Sequence, residues 1–259
     1  MFSRVRHWSH HLLARLPAAL PSSCALCAGA ARDGMCDGCQ QQFFGTRRTR
    51  CPQCAIALSS PSQYPASATA ATSATVCGDC LQQPPAFDAT IVAADYAAPV
   101  DQLVLALKFG NQLPLAPLFG RMLRDALLLT HADRFALPDL LTAVPLGPQR
   151  LAQRGFNQAL EIARPLSRAL GVALAPGLLL RARDTSAQAL LHPDERHKNI
   201  RNAFVVAGDA IDVVRGKHIG VVDDVLTTGE TLNELAATLK RFGAARVTNF
   251  VFARTPPRK

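Results

Sequence analysis

Aromatic residues are scarce in this chain: Phe, Tyr and Trp make up 6% of its 259 positions, with one Trp and two Tyr. So few flat rings leave little material for the base-stacking platforms that hold single-stranded nucleic acid. Cysteine is absent after residue 80, which removes thiol and disulfide chemistry from most of the chain. No apolar run reaches the roughly 18 residues that a membrane-spanning helix needs, so no membrane span is expected. Charged residues are only 18% and apolar residues 49%, a balance that excludes a disordered chain and fits a packed globular one. Residues 55–94 contain no lysine or arginine and only two acids, Asp79 and Asp88. The formal charge of +9 divides as +5 in residues 1–54, −2 in 55–94 and +6 beyond. That basic bias suits nucleic acid or a polyphosphate ligand and does not choose between them.

What the chain does have begins with its N-terminus. The stretch resembles a signal peptide until Arg15 interrupts its apolar run. Val5, Trp8, Leu12, Leu16 and Ala19 fall on one helical face, so residues 1–20 are expected to form an amphipathic helix packed on the protein's own body. A cytoplasmic protein is expected.

All eight cysteines lie in CxxC pairs: Cys24/Cys27, Cys36/Cys39, Cys51/Cys54 and Cys77/Cys80. Two residues between thiols let a tight knuckle present both sulfurs to one tetrahedral metal, so four knuckles supply two closed Cys₄ sites for structural zinc. Disulfides would need an oxidising compartment, for which nothing in the chain argues. A redox motif would be a single CxxC beside a βαβ unit. Only eight residues separate Cys27 from Cys36, which favours sequential pairing: Cys24, Cys27, Cys36 and Cys39 on one ion, Cys51, Cys54, Cys77 and Cys80 on the other. A cross-braced arrangement is the alternative. Each site would stabilise so small a module by about 10 kcal/mol. With both filled, thiolate charge lowers the net charge to +5. Residues 21–85 thus read as a double zinc ribbon with a low-complexity Ala/Ser/Thr/Pro insertion at 55–76.

From residue 86 the composition turns to α/β. Thr90–Tyr96, Leu140–Pro145 and Arg246–Ala253 read as strands. Helices are expected before Lys108-Phe109-Gly110, through Leu115 to Leu127, and from Phe156 to Leu170. The most informative segment is Val221-Val222-Asp223-Asp224-Val225-Leu226-Thr227-Thr228-Gly229-Glu230-Thr231. A short buried strand, His218 to Val222, ends in two carboxylates. A small polar loop follows, and then a helix with Leu232, Leu235, Ala236 and Leu239 on one face. Backbone N–H groups at such a helix start suit a phosphate, whereas the acidic pair suits hydroxyls or a metal ion. A sugar phosphate satisfies both halves. The simpler possibility is a turn in which Thr227 or Thr228 merely caps the helix.

The segment resembles the phosphate-binding motif of type I phosphoribosyltransferases, which bind phosphoribosyl pyrophosphate (PRPP). Val144-Pro145, Arg154-Gly155-Phe156-Asn157-Gln158, the Tyr96, Lys108 and Phe109 pattern and the paired cysteines narrow the resemblance to the ComF family, which includes ComFC and GntX-like proteins. It spans residues 24 to 256. It implies a mostly parallel sheet with helices on both faces over residues 86–256, behind the zinc-ribbon module. It makes Asp223 and Asp224 the catalytic, ribose-holding acids and Thr227, Thr228, Gly229, Glu230 and Thr231 the phosphate loop. By the same resemblance the segment after Pro145 corresponds to the pyrophosphate loop, so Arg150 and Arg154 are candidates for the departing pyrophosphate, or else solvated helix-end charges. Lys108 is a further candidate for PRPP. Magnesium would accompany PRPP, and pentosyl transfer to an acceptor is the implied reaction. Residues 181–204 read as a flap over the site or as an exposed helix.

The family also implies a competing reading: a non-enzymatic competence factor that binds single-stranded DNA, with DNA-uptake proteins as partners. Phe43 and Phe44 beside Arg47, Arg48 and Arg50 are the segment best suited to it. A GntX-like role in gluconate utilisation is the remaining alternative.

Overall fold

The computed structural model describes residues 22–45, 48–58, 76–130, 136–181 and 203–256. The expected helix over 1–20, Arg47, most of the 55–76 insertion and most of 181–204 lie outside the described residues. The chain divides into two units between Arg47 and Arg48.

In the first unit, β1 (Ser22–Ser23) pairs antiparallel with β2 (Ala30–Ala31), and α1 (Asp37–Phe44) follows. Cys36 is the N-cap residue of α1, its sulfur accepting from the Cys39 N–H at 3.4 Å. A CxxC pair at a helix start thereby serves as both cap and knuckle.

The second unit holds α2 (Gly78–Gln82), β3 (Ala89–Asp95), α3 (Val100–Phe109), α4 (Leu115–Leu129), β4 (Leu140–Ala143), α5 (Pro148–Arg154), α6 (Gln158–Leu170), β5 (Ala173–Leu174), β6 (Leu179–Arg181), β7 (Phe204–Val206), α7 (Ile211–Val214), β8 (His218–Leu226), α8 (Glu230–Arg241) and β9 (Arg246–Arg254). Five strands form one parallel sheet in the order β3-β9-β8-β4-β5, and β6 and β7 form a separate antiparallel pair. The central strands are apolar and buried on both sides: Ile219, Val221 and Val222 of β8 and Val247, Val251 and Phe252 of β9 have no exposed surface. That is the pattern of a parallel sheet covered by helices.

Connections β3 to β4 and β4 to β5 run one way along the sheet, and β8 to β9 runs the other. Right-handed crossovers then put α4 and α6 on one face and α8 on the opposite face. The Phe119 ring of α4 stacks on Phe252 with centroids 3.5 Å apart. Gly220 lets layers close: a Cβ there would lie 2.4 Å from Leu141 Cδ2 and 3.0 Å from Phe250 Cε2.

Two expectations need correction. The strand that was expected to stop at Val222 runs on to Leu226, because β9 pairs with it as far as Leu226 opposite Arg254. The acids therefore lie within a strand, not beyond its end. Residues 148–154, expected as a loop, form α5: Pro148 stands at its first turn and Gly155, with φ 80°, ends it.

Candidate functional site

A sheet that changes winding direction leaves a crevice at the carboxyl ends of the strands where the direction reverses. Here that point lies between β4, whose chain leaves towards α5 and α6, and β8, whose chain leaves towards α8. A cleft of about 280 Å³ opens there, lined from the β4 side by Val144, Pro145, Leu146 and Arg150 and from the β8 side by the whole run from Asp223 to Leu232. Tyr96, Lys108, Gln158 and Arg181 complete it.

Every residue proposed from the sequence for PRPP lines this cleft except Arg154. Asp224 is buried, and its Oδ2 pairs with Lys108 Nζ at 2.8 Å. Lys108 is in the last turn of α3, so the α3 cation that favours the helix dipole also meets the acid. Asp223 Oδ1 accepts from the Asp224 N–H at 2.9 Å. Burial pushes the Asp223 carboxyl up to about 8, Asp224's charge adding to the rise and Lys108 opposing it. Asp223 therefore resists ionisation beside Asp224, the acid that Lys108 meets.

The loop beyond takes its form from Gly229, whose φ of 90° is the left-handed region where a Cβ is strained. Gly229 is the N-cap residue of α8, with no side-chain cap. Neither Thr227 nor Thr228 caps this helix. The first N–H groups of α8 have no partners within the helix, and they stand at the cleft wall formed by Glu230 and Thr231.

Arg150 and Arg154 lie on α5, four residues apart, and only Arg150 lines the cleft. The Arg154 guanidinium lies 5.3 Å from the Phe109 ring centroid and donates to Gln158 Oε1 at 2.6 Å. Burial lowers its pKa, with Asp224's negative charge working the other way and Arg150's positive charge adding to the drop. Asn157 ties the segment to the sheet, its Nδ2 donating to the Val144 carbonyl at 2.9 Å while its Oδ1 caps α6. Sequence reasoning missed Gln158 and Arg181. Gln158 stood inside the Arg154-Gly155-Phe156-Asn157-Gln158 motif and could have been named from it; Arg181 opens the 181–204 segment, whose flap reading was its signal.

The eight thiols gather in two groups, Cys24/Cys27/Cys36/Cys39 and Cys51/Cys54/Cys77/Cys80, with the sulfurs of each group within 4.8 Å of one another. The pairing is sequential. Cys27 and Cys36 Sγ stand 3.6 Å apart, as do Cys54 and Cys77. Four sulfurs at zinc–thiolate distance from one tetrahedral ion would be about 3.8 Å apart, so both groups fit zinc. Burial tends to raise the Cys24 thiol, but N–H groups of Cys36 and Cys27 outweigh it and hold the thiol near 6. Burial and the neighbouring thiols push Cys39 up to about 12. Metal binding displaces the protons that such thiols hold.

Of the arginines considered for DNA, Arg50 is committed within the second unit: it donates to the Ala55 carbonyl at 3.0 Å and pairs with Asp95 at 2.8 Å. Arg48 also pairs with Asp95, at 3.2 Å, but remains largely exposed. Asp95 ends β3, so these arginines dock the Cys51/Cys54 knuckle on the sheet.

A crevice of this kind, on a parallel sheet of this order, belongs to the phosphoribosyltransferase fold, and the family model described as "Phosphoribosyl transferase domain" matches residues 157–259. The chain is 36% identical over 248 residues to DNA utilization protein YhgH of Escherichia coli O157:H7, covering 94% of this chain and 96% of that protein. It is 32% identical over 238 residues to Competence protein F of Haemophilus influenzae, covering 89% and 96%. The chain belongs to this competence protein F, or ComF, family. Among solved structures it is similar to a glutamine PRPP amidotransferase from B. subtilis complexed with ADP and GMP, at 22% identity and a TM-score of 0.34, over 52% of this chain and 25% of that one. Among the described residues no helix is long and apolar enough to cross a membrane.

Proposed function

We propose that the cleft binds PRPP or a close ribose 5-phosphate analogue and that the protein acts in the handling of DNA by the cell. The observation that carries the ligand reading is one cleft lined both by the acid pair Asp223 and Asp224 and by the loop Thr227–Thr231 at the start of α8. Carboxylates accept hydrogen bonds from the ribose 2′ and 3′ hydroxyls. The loop offers backbone N–H groups and hydroxyls to the 5-phosphate. Arg150, on the opposite wall, suits pyrophosphate oxygens.

Hard oxygen donors fit magnesium, whose part when bound would be to screen the pyrophosphate charge. The chain's own residues do the rest. Lys108 keeps the buried Asp224 paired until a ligand arrives. Asp223 holds a proton that it can give up as hydroxyls and cation enter. If transfer occurs, the protein's main contribution is electrostatic stabilisation of the departing pyrophosphate.

Calorimetry with PRPP and Mg²⁺ tests the ligand. Wild type should bind, and Asp223→Asn with Asp224→Asn should not. A flat titration with wild type removes the reading.

The names of the relatives, "DNA utilization protein" and "Competence protein F", support the cellular role. Direct binding of single-stranded DNA is the second reading they favour. Arg48 is the exposed cation to test: Arg48→Ala should weaken binding and flatten its salt dependence. Unchanged affinity removes Arg48 from that role.

A further inference from the structure

Arg254, the last residue of β9, is nine-tenths buried at the carboxyl end of the sheet. It sits opposite Asp95 of β3 and Leu226 of β8. Its guanidinium reaches in two directions. Nε donates to the carbonyl of Cys54 at 3.1 Å. Nη1 donates to the carbonyls of Leu226 at 3.1 Å, Thr227 at 2.5 Å and Thr255 at 2.9 Å. Cys54 is a thiol of the second Cys₄ group, and Thr227 lines the cleft. One rigid side chain thus bonds the backbone of a metal knuckle and the backbone of the phosphate loop.

We infer that Arg254 is a positioning residue that couples the Cys51/Cys54/Cys77/Cys80 metal site to the shape of the loop at Thr227 and Thr228. Three physical points carry this. A peptide unit is planar with its C=O and following N–H opposed. Holding the Leu226 and Thr227 oxygens on Arg254 therefore turns the N–H groups of Thr227 and Thr228 away from the guanidinium. Second, the fork has fixed geometry: a guanidinium can serve acceptors on two sides at once, as an ammonium on a flexible stem cannot.

The third point is charge. Among the described residues no carboxylate forms an ion pair with Arg254, although it is buried, and a buried cation needs compensation. A Cys₄ site with Zn²⁺ has a net charge of −2. The consecutive carbonyls of Cys54 and Ala55 each take a guanidinium, from Arg254 and Arg50. Arg50 is balanced by Asp95, so the charge left at the knuckle backbone is that of Arg254, beside the thiolates that would balance it. Loss of the ion would leave Arg254 without that balance and the Cys54 carbonyl without a fixed place. The effect would pass to Thr227 through the same side chain.

The test is a double-mutant cycle on the full-length, zinc-loaded protein, pairing Cys80→Ser with Arg254→Met. Hydrogen exchange at the amides of residues 226–230, without ligand, is the first readout. Cys80→Ser should speed exchange there about tenfold with Arg254 present and by little in the Arg254→Met background, because either change breaks the same link. Equal acceleration in both backgrounds, or none in either, overturns the coupling.

Should Cys80→Ser fail to fold, Arg254→Lys decides. It keeps the charge and should retain two zinc ions by mass spectrometry, yet exchange at 226–230 should rise about as far as in Arg254→Met. Wild-type exchange in Arg254→Lys refutes the positioning role. The second readout is affinity for ribose 5-phosphate, which should weaken about tenfold in either single variant and no further in the double. This arm rests on the ligand reading above, whereas exchange does not. If wild type fails to bind ribose 5-phosphate, the ligand reading falls and the exchange data still judge Arg254.

Discussion

Asp223 should make the protein less stable as pH rises across the neutral range, and Asp223→Asn should remove that loss. Its carboxyl is pushed from an ordinary value of 3.8 to about 8, by burial first and then by Asp224. Below the ordinary value both folded and unfolded chains hold the proton, so the group has no effect. Between 3.8 and about 8 the unfolded chain has released the proton while the folded chain keeps it. Folding stability then falls by about 1.4 kcal/mol per pH unit and levels off above about 8. From pH 5 to pH 7 this one group takes away roughly 2.5 kcal/mol, reduced to the extent that water reaches its side chain. Urea unfolding of zinc-saturated wild type and Asp223→Asn at half-unit steps from pH 5 to 8.5 measures it. The difference between the two proteins is the quantity to plot. His218, whose pKa is lowered by burial and then by Arg246, is present in both proteins and cancels in the difference. A gap that widens with pH and flattens near 8 is expected. A constant gap would refute the raised Asp223 titration. Asp224→Asn should make the loss level off at a lower pH, and so be smaller in total, without abolishing it, since burial remains.

Other consequences can be checked by simpler means. Lys108→Met strands the buried Asp224 carboxylate and should cost about 3 kcal/mol in urea unfolding; it should also move the Asp223 titration upward, because Lys108 holds it down. Gly229→Ala forces a Cβ into a left-handed position and should lose about 1–2 kcal/mol, with ribose 5-phosphate affinity falling in the same variant by calorimetry. Gly220→Ala lies away from the cleft and drives a methyl into Leu141 and Phe250; it should lower stability by about 1–3 kcal/mol while leaving ligand affinity near wild type. Metal analysis should find two zinc ions per chain, and Cys39→Ser should remove one of them.

The sequence alone carried whatever depends on residues close together. Thiols with two residues between them make a knuckle whatever surrounds them, so the ligand set was legible before any fold was known. Asp223 to Thr231 announced acids, loop and helix start within one short window, and the apolar runs announced the sheet. Strand limits were less legible, because β8 continues past Val222 only where β9 pairs with it. Short α5 was missed because seven residues with none buried give no periodic signal.

Tertiary structure alone decided the partners. Strand order brings Lys108 from α3 to Asp224 and Arg254 to Cys54, a residue 200 positions away. It also buries one carboxylate beside another so that Asp223 keeps its proton. Such effects depend on distance through space and on lost water, and neither is a property of neighbouring residues in a chain. The sequence therefore showed which chemistry was present, and the fold determined which charges meet.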